Sequence, residues 1–182
     1  MKKNFHKAQL LYKFAGFPTV TNMNLRSYLV LAVSALFALA CASEVRETNI
    51  DQDKAIDDFI SSKYKDNPVF RNGGASRVVL TEGPEGAPVI ERGDSVYLYY
   101  AGYVFTKSGP TTQFVLDSGL FRAGSGKLLK GLDDGLEGAR LGEESLILFS
   151  ADDGYGSTAV GLVPENSALL FDIGVGAIKK NP

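Results

Sequence analysis

The sequence predicts an α+β domain, an antiparallel sheet of five or six strands with one short helix. Residues 95–105 form a long stretch that alternates in the two-residue period of a strand. Shorter apolar runs at 77–80, 114–118, 144–149 and 168–175 are separated by glycine-containing and acidic turns. No repeat and no regular strand–helix–strand alternation is present, which argues against a doubly wound parallel sheet.

Taken in order, the chain opens with a basic leader. Residues 27–40 are apolar apart from their serines, too short for a membrane span of ~20 residues but of the length of a signal-peptide core. Residues 42–50 read as a polar tether. Over 51–64, Ile56, Phe59, Ile60 and Tyr64 recur at helical spacing behind Asp51, a residue suited to a cap, and predict one amphipathic helix. Residues 66–76, with Asn72-Gly73-Gly74, read as a linker, and 83–88 and 92–94 as turns. A short acidic helix is expected over 130–138, with Asp133, Asp134 and Glu137 on a solvated face.

Composition excludes several chemistries. Five of the 19 basic residues and none of the 21 acidic ones fall in residues 1–40, so the remainder carries 14 against 21, a net of −7. Nucleic acid is therefore not an expected partner, since phosphate binding needs clustered Lys and Arg. The only histidine is His6 and the only cysteine Cys41. Beyond the leader there is no imidazole base, so a Ser-His-Asp triad, a Cys-His dyad and nearly all zinc sites are excluded there. Asp152-Asp153-Gly154 lacks the spacing of a calcium loop, and Gly124-Ser125-Gly126-Lys127 lacks that of a phosphate loop.

The leader ends Ala38-Leu39-Ala40-Cys41, with polar sequence almost at once. It resembles a bacterial lipoprotein signal, in which the cysteine becomes the lipidated first residue. Such signals usually carry Leu where this chain has Ala38. The resemblance implies a bacterial envelope protein held to a membrane through Cys41, at the outer membrane or facing the periplasm. Met23 would start a more compact leader, which would make residues 1–22 a mis-assigned start.

Three segments follow one another as in the FKBP-type peptidyl-prolyl cis-trans isomerases. Arg92-Gly93-Asp94-Ser95-Val96 leads into Tyr100-Ala101-Gly102 and is similar to that family's opening strand. Leu129-Lys130-Gly131-Leu132 runs through Gly135-Leu136-Glu137-Gly138 to Gly142-Glu143 and is similar to its helix segment. Gly154-Tyr155-Gly156, then Val163-Pro164-Glu165-Asn166 and Leu170-Phe171-Asp172, are similar to its closing loop and strand. The resemblance covers about half the chain. It implies a curved sheet wrapped on the short helix over 77–182, preceded by a signal peptide (1–40) and a tether with the extra helix (41–76).

The implied activity is rotation of X-Pro peptide bonds in exported proteins, with no cofactor and no metal. Its partners would be proline-containing polypeptides and, through the lipid, a membrane. The resemblance assigns catalytic positions to Tyr100, Asp117, Tyr155 and Phe171, with Asp117 facing Tyr100 or substrate. It assigns the substrate cradle to Phe121, Leu128, Leu129, Leu132, Leu162 and Val163. Leu132 stands where the family usually has Trp, Phe114 is an alternative aromatic in a shifted register, and two loops are short. An FKBP-like peptide-binding or chaperone module of weak catalysis therefore stays open as the alternative.

Alternation makes one further prediction. If Tyr100, Ile147, Phe149, Leu169, Phe171 and Ile173 face inward, then Tyr97, Tyr99, Leu146, Leu148 and Leu170 face outward. An apolar outer face needs a cover, and the amphipathic helix with Ile56, Phe59 and Ile60 is the expected one.

Overall fold

The computed structural model describes residues 51–181; the leader, Cys41 and the tether lie outside the described residues. Helix α1 (51–63) is followed by strands β1 (Val69–Asn72), β2 (Ala75–Thr81), β3 (Ser95–Thr106) and β4 (Gly109–Arg122). Helix α2 (Lys130–Leu136), strand β5 (Glu144–Phe149), a 3₁₀ turn (Ala151–Asp153) and strand β6 (Ala168–Lys179) complete the order. Among the described residues no helix is long and apolar enough to cross a membrane.

The six strands form one antiparallel sheet in the order β1-β2-β5-β6-β3-β4. The predicted architecture is therefore present, with two differences. The stretch 66–76 is no linker. Asn72 pairs with Ala75 across Gly73 and Gly74, whose φ values are 56° and 90°. Positive φ at both central residues gives a two-residue hairpin turn whose twist suits the flanking strands, so the sheet begins ahead of residue 77. The run 114–118 is the middle of a strand of 14 residues that joins β3 in a hairpin.

Alternation sorts the side chains onto two faces. On one face Val96, Leu98, Ile147, Phe149, Leu169, Phe171 and Ile173 form a core with Leu132 and Leu136 of α2. That helix lies close because two of its residues lack a side chain. A Cβ on Gly131 would overlap the Phe149 ring, and one on Gly135 would overlap Ile147. On the other face Ile56 and Ile60 of α1 pack with Val78, Phe105, Leu146, Leu148, Ala168 and Leu170. Phe59 meets Phe105 edge to face at 5.2 Å.

The amphipathic helix thus covers the outer face as expected, but only in part. Leu146, Leu148 and Leu170 are buried, whereas Tyr99 is 58% exposed and Tyr97 is half-buried. A helix of 13 residues spans ~20 Å, enough for the β2-β5-β6 side of a six-stranded sheet whose neighbours lie ~4.8 Å apart. The β3-β4 side stays open, with Leu116 and Leu120 exposed beside the two tyrosines.

Two buried polar clusters tie the ends. Asp94, before β3, accepts hydrogen bonds from Lys180 Nζ (2.8 Å), the Asn181 amide (3.0 Å) and the Glu91 amide (2.9 Å). Those bonds, the Lys180 ammonium first, lower the Asp94 pKa to about 2. Glu143 pairs with buried Arg77 and accepts from the Ser145 hydroxyl and, at 3.0 Å, from the Arg140 amide.

Candidate functional site

The core under α2 does not extend to the end of the sheet. Beyond the helix, between β3, β4, β6 and the loops before α2 and β6, it opens into a hollow of about 490 Å³. Its rings come from neighbouring strands. Tyr100 and Phe121 meet edge to face at 5.7 Å, as do Phe114 and Phe171. Phe171 in turn stacks on Phe149 at 5.9 Å, so the floor rests on the residue that α2 presses against.

Two local features admit these rings. At Gly102 the β3–β4 register slips, with Gly102 opposite Val115 but Tyr103 opposite Gln113. The extra residue is Phe114, and this bulge lets both Phe114 and Val115 face the hollow. Gly102 also leaves the space the rings occupy. A Cβ there would lie 2.7 Å from Phe114 Cζ and from Val115 Cγ1, and 2.9 Å from Phe171 Cε1.

The mouth is formed by two loops. The segment between β4 and α2 carries Lys127, Leu128 and Leu129 to the rim. It is fixed by Asp133, whose carboxylate accepts from the Gly124 amide at 2.7 Å and the Gly126 amide at 3.4 Å. Asp133 is only 8% exposed. The acidic run read as a solvated face is thus partly a buried anchor, because the Gly124 and Gly126 amides of the preceding turn need acceptors. Asp134 and Asp153 both hold Lys130, at 2.9 and 2.6 Å.

The second loop, 151–167, carries Tyr155 and Leu162. Gln52 of α1 grips both of its ends. Its side chain accepts from the Ala151 amide at 2.9 Å and donates to the Asn166 carbonyl at 2.7 Å. The extra helix therefore touches the site through the loop as well as covering the opposite face.

Of the residues expected at the site, Tyr100, Phe121, Leu128, Leu129, Leu132, Tyr155, Leu162 and Phe171 line the one hollow. Two do not. Val163 is buried in the core, bridged to Val160, and Val160 and Gly161 line the hollow instead. Asp117 lies opposite Tyr100 but is exposed and does not line the hollow; its carboxylate accepts from the Ser118 amide at 2.7 Å. Its charge is still felt: burial first, then the Asp117 and Tyr155 groups, push the Tyr100 phenol pKa up. Leu98, Val115 and Lys127 complete the lining without having been singled out. Phe114, the alternative aromatic of the shifted register, also lines the hollow.

Among the described residues the lining holds rings, aliphatic chains, two phenols and one ammonium, with no carboxylate, thiol or imidazole. It can hold an apolar ring and donate hydrogen bonds from fixed hydroxyls. Curved antiparallel sheet, short crossing helix and aromatic hollow define an FKBP-like domain. The similarity to known proteins agrees. The profile of the "FKBP-type peptidyl-prolyl cis-trans isomerase" family matches residues 87–175. FK506-binding protein 1 of Aspergillus oryzae is 32% identical over 111 residues, spanning 55% of this chain and 94% of that one. A peptidyl-prolyl cis-trans isomerase of Schizosaccharomyces pombe is 32% identical over 109 residues, spanning 58% and 95%. In fold, FkpA of Escherichia coli is similar with a TM-score of 0.57 and 19% identity, across 100% of this chain and 84% of that one. The chain belongs to the FKBP-type peptidyl-prolyl cis-trans isomerases, enzymes that interconvert the cis and trans forms of X-Pro peptide bonds.

Proposed function

We propose that this protein is a lipid-anchored isomerase of the bacterial envelope, acting on X-Pro bonds of exported polypeptides without a covalent step. Rotation about a peptide bond faces a barrier of ~18–20 kcal/mol because resonance gives the C–N bond double-bond character. An X-Pro bond turns over unaided only in tens to hundreds of seconds. The twisted amide has lost that resonance, so a site needs only to bind it better than either planar form. The observation that carries this reading is the hollow lined by Tyr100, Phe114, Phe121, Leu132, Tyr155 and Phe171. It offers the proline ring a water-poor seat and its neighbours a phenol at Tyr155. Leu132 in place of a tryptophan leaves the seat less aromatic, which favours a slower enzyme that still binds peptide.

A protease-coupled assay on an X-Pro peptide tests the mechanism. Tyr155→Phe is expected to lower kcat/KM about two- to tenfold, the worth of one hydrogen bond, and Asp117→Ala to act weakly. Peptide binding with no rate above the uncatalysed one would convert the reading to that of a peptide-binding chaperone module. The anchor rests on the leader's resemblance to a lipoprotein signal. Cys41→Ser is expected to move the protein from the membrane to the soluble fraction of the envelope, and an unchanged membrane fraction rules the anchor out.

A further inference from the structure

We propose that Lys127 makes this site select prolyl bonds flanked by an acidic residue, an inference that rests on the proline-binding reading of the hollow. Among the described residues, Lys127 is the one charged side chain lining it. It stands exposed at the rim, next to Leu128 and Leu129. Its backbone is held in place by the Asp133 carboxylate through the Gly124 and Gly126 amides. Three residues on, Lys130 is consumed by Asp134 and Asp153; Lys127 has no ion-pair partner among the described residues. An ammonium beside an apolar seat offers a peptide one specific reward, a carboxylate placed a residue from the proline.

The sign of this preference is diagnostic. The chain beyond residue 40 carries a net of −7, and its overall field favours basic peptides. So does Asp117, which lies opposite Tyr100 on strand β4. A general electrostatic effect therefore predicts basic over neutral over acidic substrates, whereas contact with Lys127 predicts the reverse.

The test is kcat/KM for a peptide series with Glu, Gln or Lys on either side of proline. For the full chain at low salt, Glu over Gln is expected to be about two- to fivefold at one of the two positions, the range of an exposed ion pair. The ratio should fall towards one in 0.5 M NaCl, where charges a few ångströms apart are screened. In Lys127→Gln it should be near one, and in Lys127→Glu below one. Each ratio is internal to its variant, so a general loss of activity does not imitate the effect. A wild-type ratio of one or less at both positions, or a ratio kept in Lys127→Gln, overturns the proposal. If turnover is absent altogether, the same Glu-to-Gln ratio is read in peptide Kd, which separates failure of catalysis from failure of selectivity.

Discussion

The two faces of the sheet meet the same problem differently. Each is apolar along its length and each is crossed by one helix that covers only part of it. Where α2 stops, the inner face curves into a hollow whose rings brace one another edge to face. Where α1 stops, the outer face leaves Tyr99, Leu116 and Leu120 exposed beside half-buried Tyr97. Apolar content is similar; shape is not. The inner residues converge because of the Gly102 bulge and are supported from beneath by Phe149, whereas Tyr99, Leu116 and Leu120 on the outer side are exposed. A site is thus distinguished from a bare patch by the second layer of residues rather than by the hydrophobicity of the first.

The sharpest way to break that comparison uses two neighbours on β5. Phe149 and Leu148 are both fully buried but point to opposite faces. Truncating either to Ala is expected to cost ~3–5 kcal/mol in urea unfolding, the usual cost of emptying a core site. Only Phe149→Ala should also lower kcat/KM, by tenfold or more, because Phe171 rests on it. Equal effects on activity would show that the faces are not independent.

Gln52 sharpens it next. Gln52→Ala removes two hydrogen bonds to the Tyr155 loop, worth ~1 kcal/mol each. A several-fold fall in kcat/KM is expected. In a Tyr155→Phe background the loss should be smaller, since the two changes act on one loop; full additivity in the double-mutant cycle would deny the coupling.

Both faces share strand β3, whose start Asp94 holds. A carboxyl whose pKa is lowered from the ordinary 3.8 to about 2 stabilises the fold fully above its unfolded value, and the effect fades as pH falls through about 2. The stability gap between wild type and Asp94→Asn, followed by denaturant titration, should therefore be constant above pH 5 and shrink towards pH 2. A gap that widens on acidification would contradict the sign. The smallest effect is expected on the open outer patch: Tyr99→Ser and Leu116→Ser should each change stability by no more than ~0.5 kcal/mol and leave kcat/KM unaltered.

Much of this was legible in the chain. The alternation of 95–105 placed Tyr100 inward, and the Gly154-Tyr155-Gly156 motif pointed to Tyr155, which lines the hollow half-buried. Ile56, Phe59 and Ile60 announced the covering helix. What was missed has physical reasons. β1 is four residues long and three of them are exposed, so it carries no periodicity; its signal was Gly73-Gly74, a turn pair better read as a hairpin. The first half of β4, with Thr111, Thr112 and Gln113, is polar because it is a solvated edge. Phe114 joins the hollow through a bulge, which breaks the alternation that would have revealed it. Asp133 reads as a surface acid because its partners are backbone amides, which leave no trace in side-chain spacing. Val163 and Leu162 are adjacent in a loop without regular period, and only the Val160 bridge decides which one turns inward.

The glycine pair on α2 has a consequence for the width of the hollow. Gly131 and Gly135 let the helix axis settle against β5, and Leu132, on the same turn, forms one side of the seat. The bore of the cavity is then governed by two absent methyl groups at positions that do not line it. Refilling them would lift the helix and widen the bore while every wall residue kept its identity, so the size of cargo admitted could drift in evolution with an unaltered contact surface.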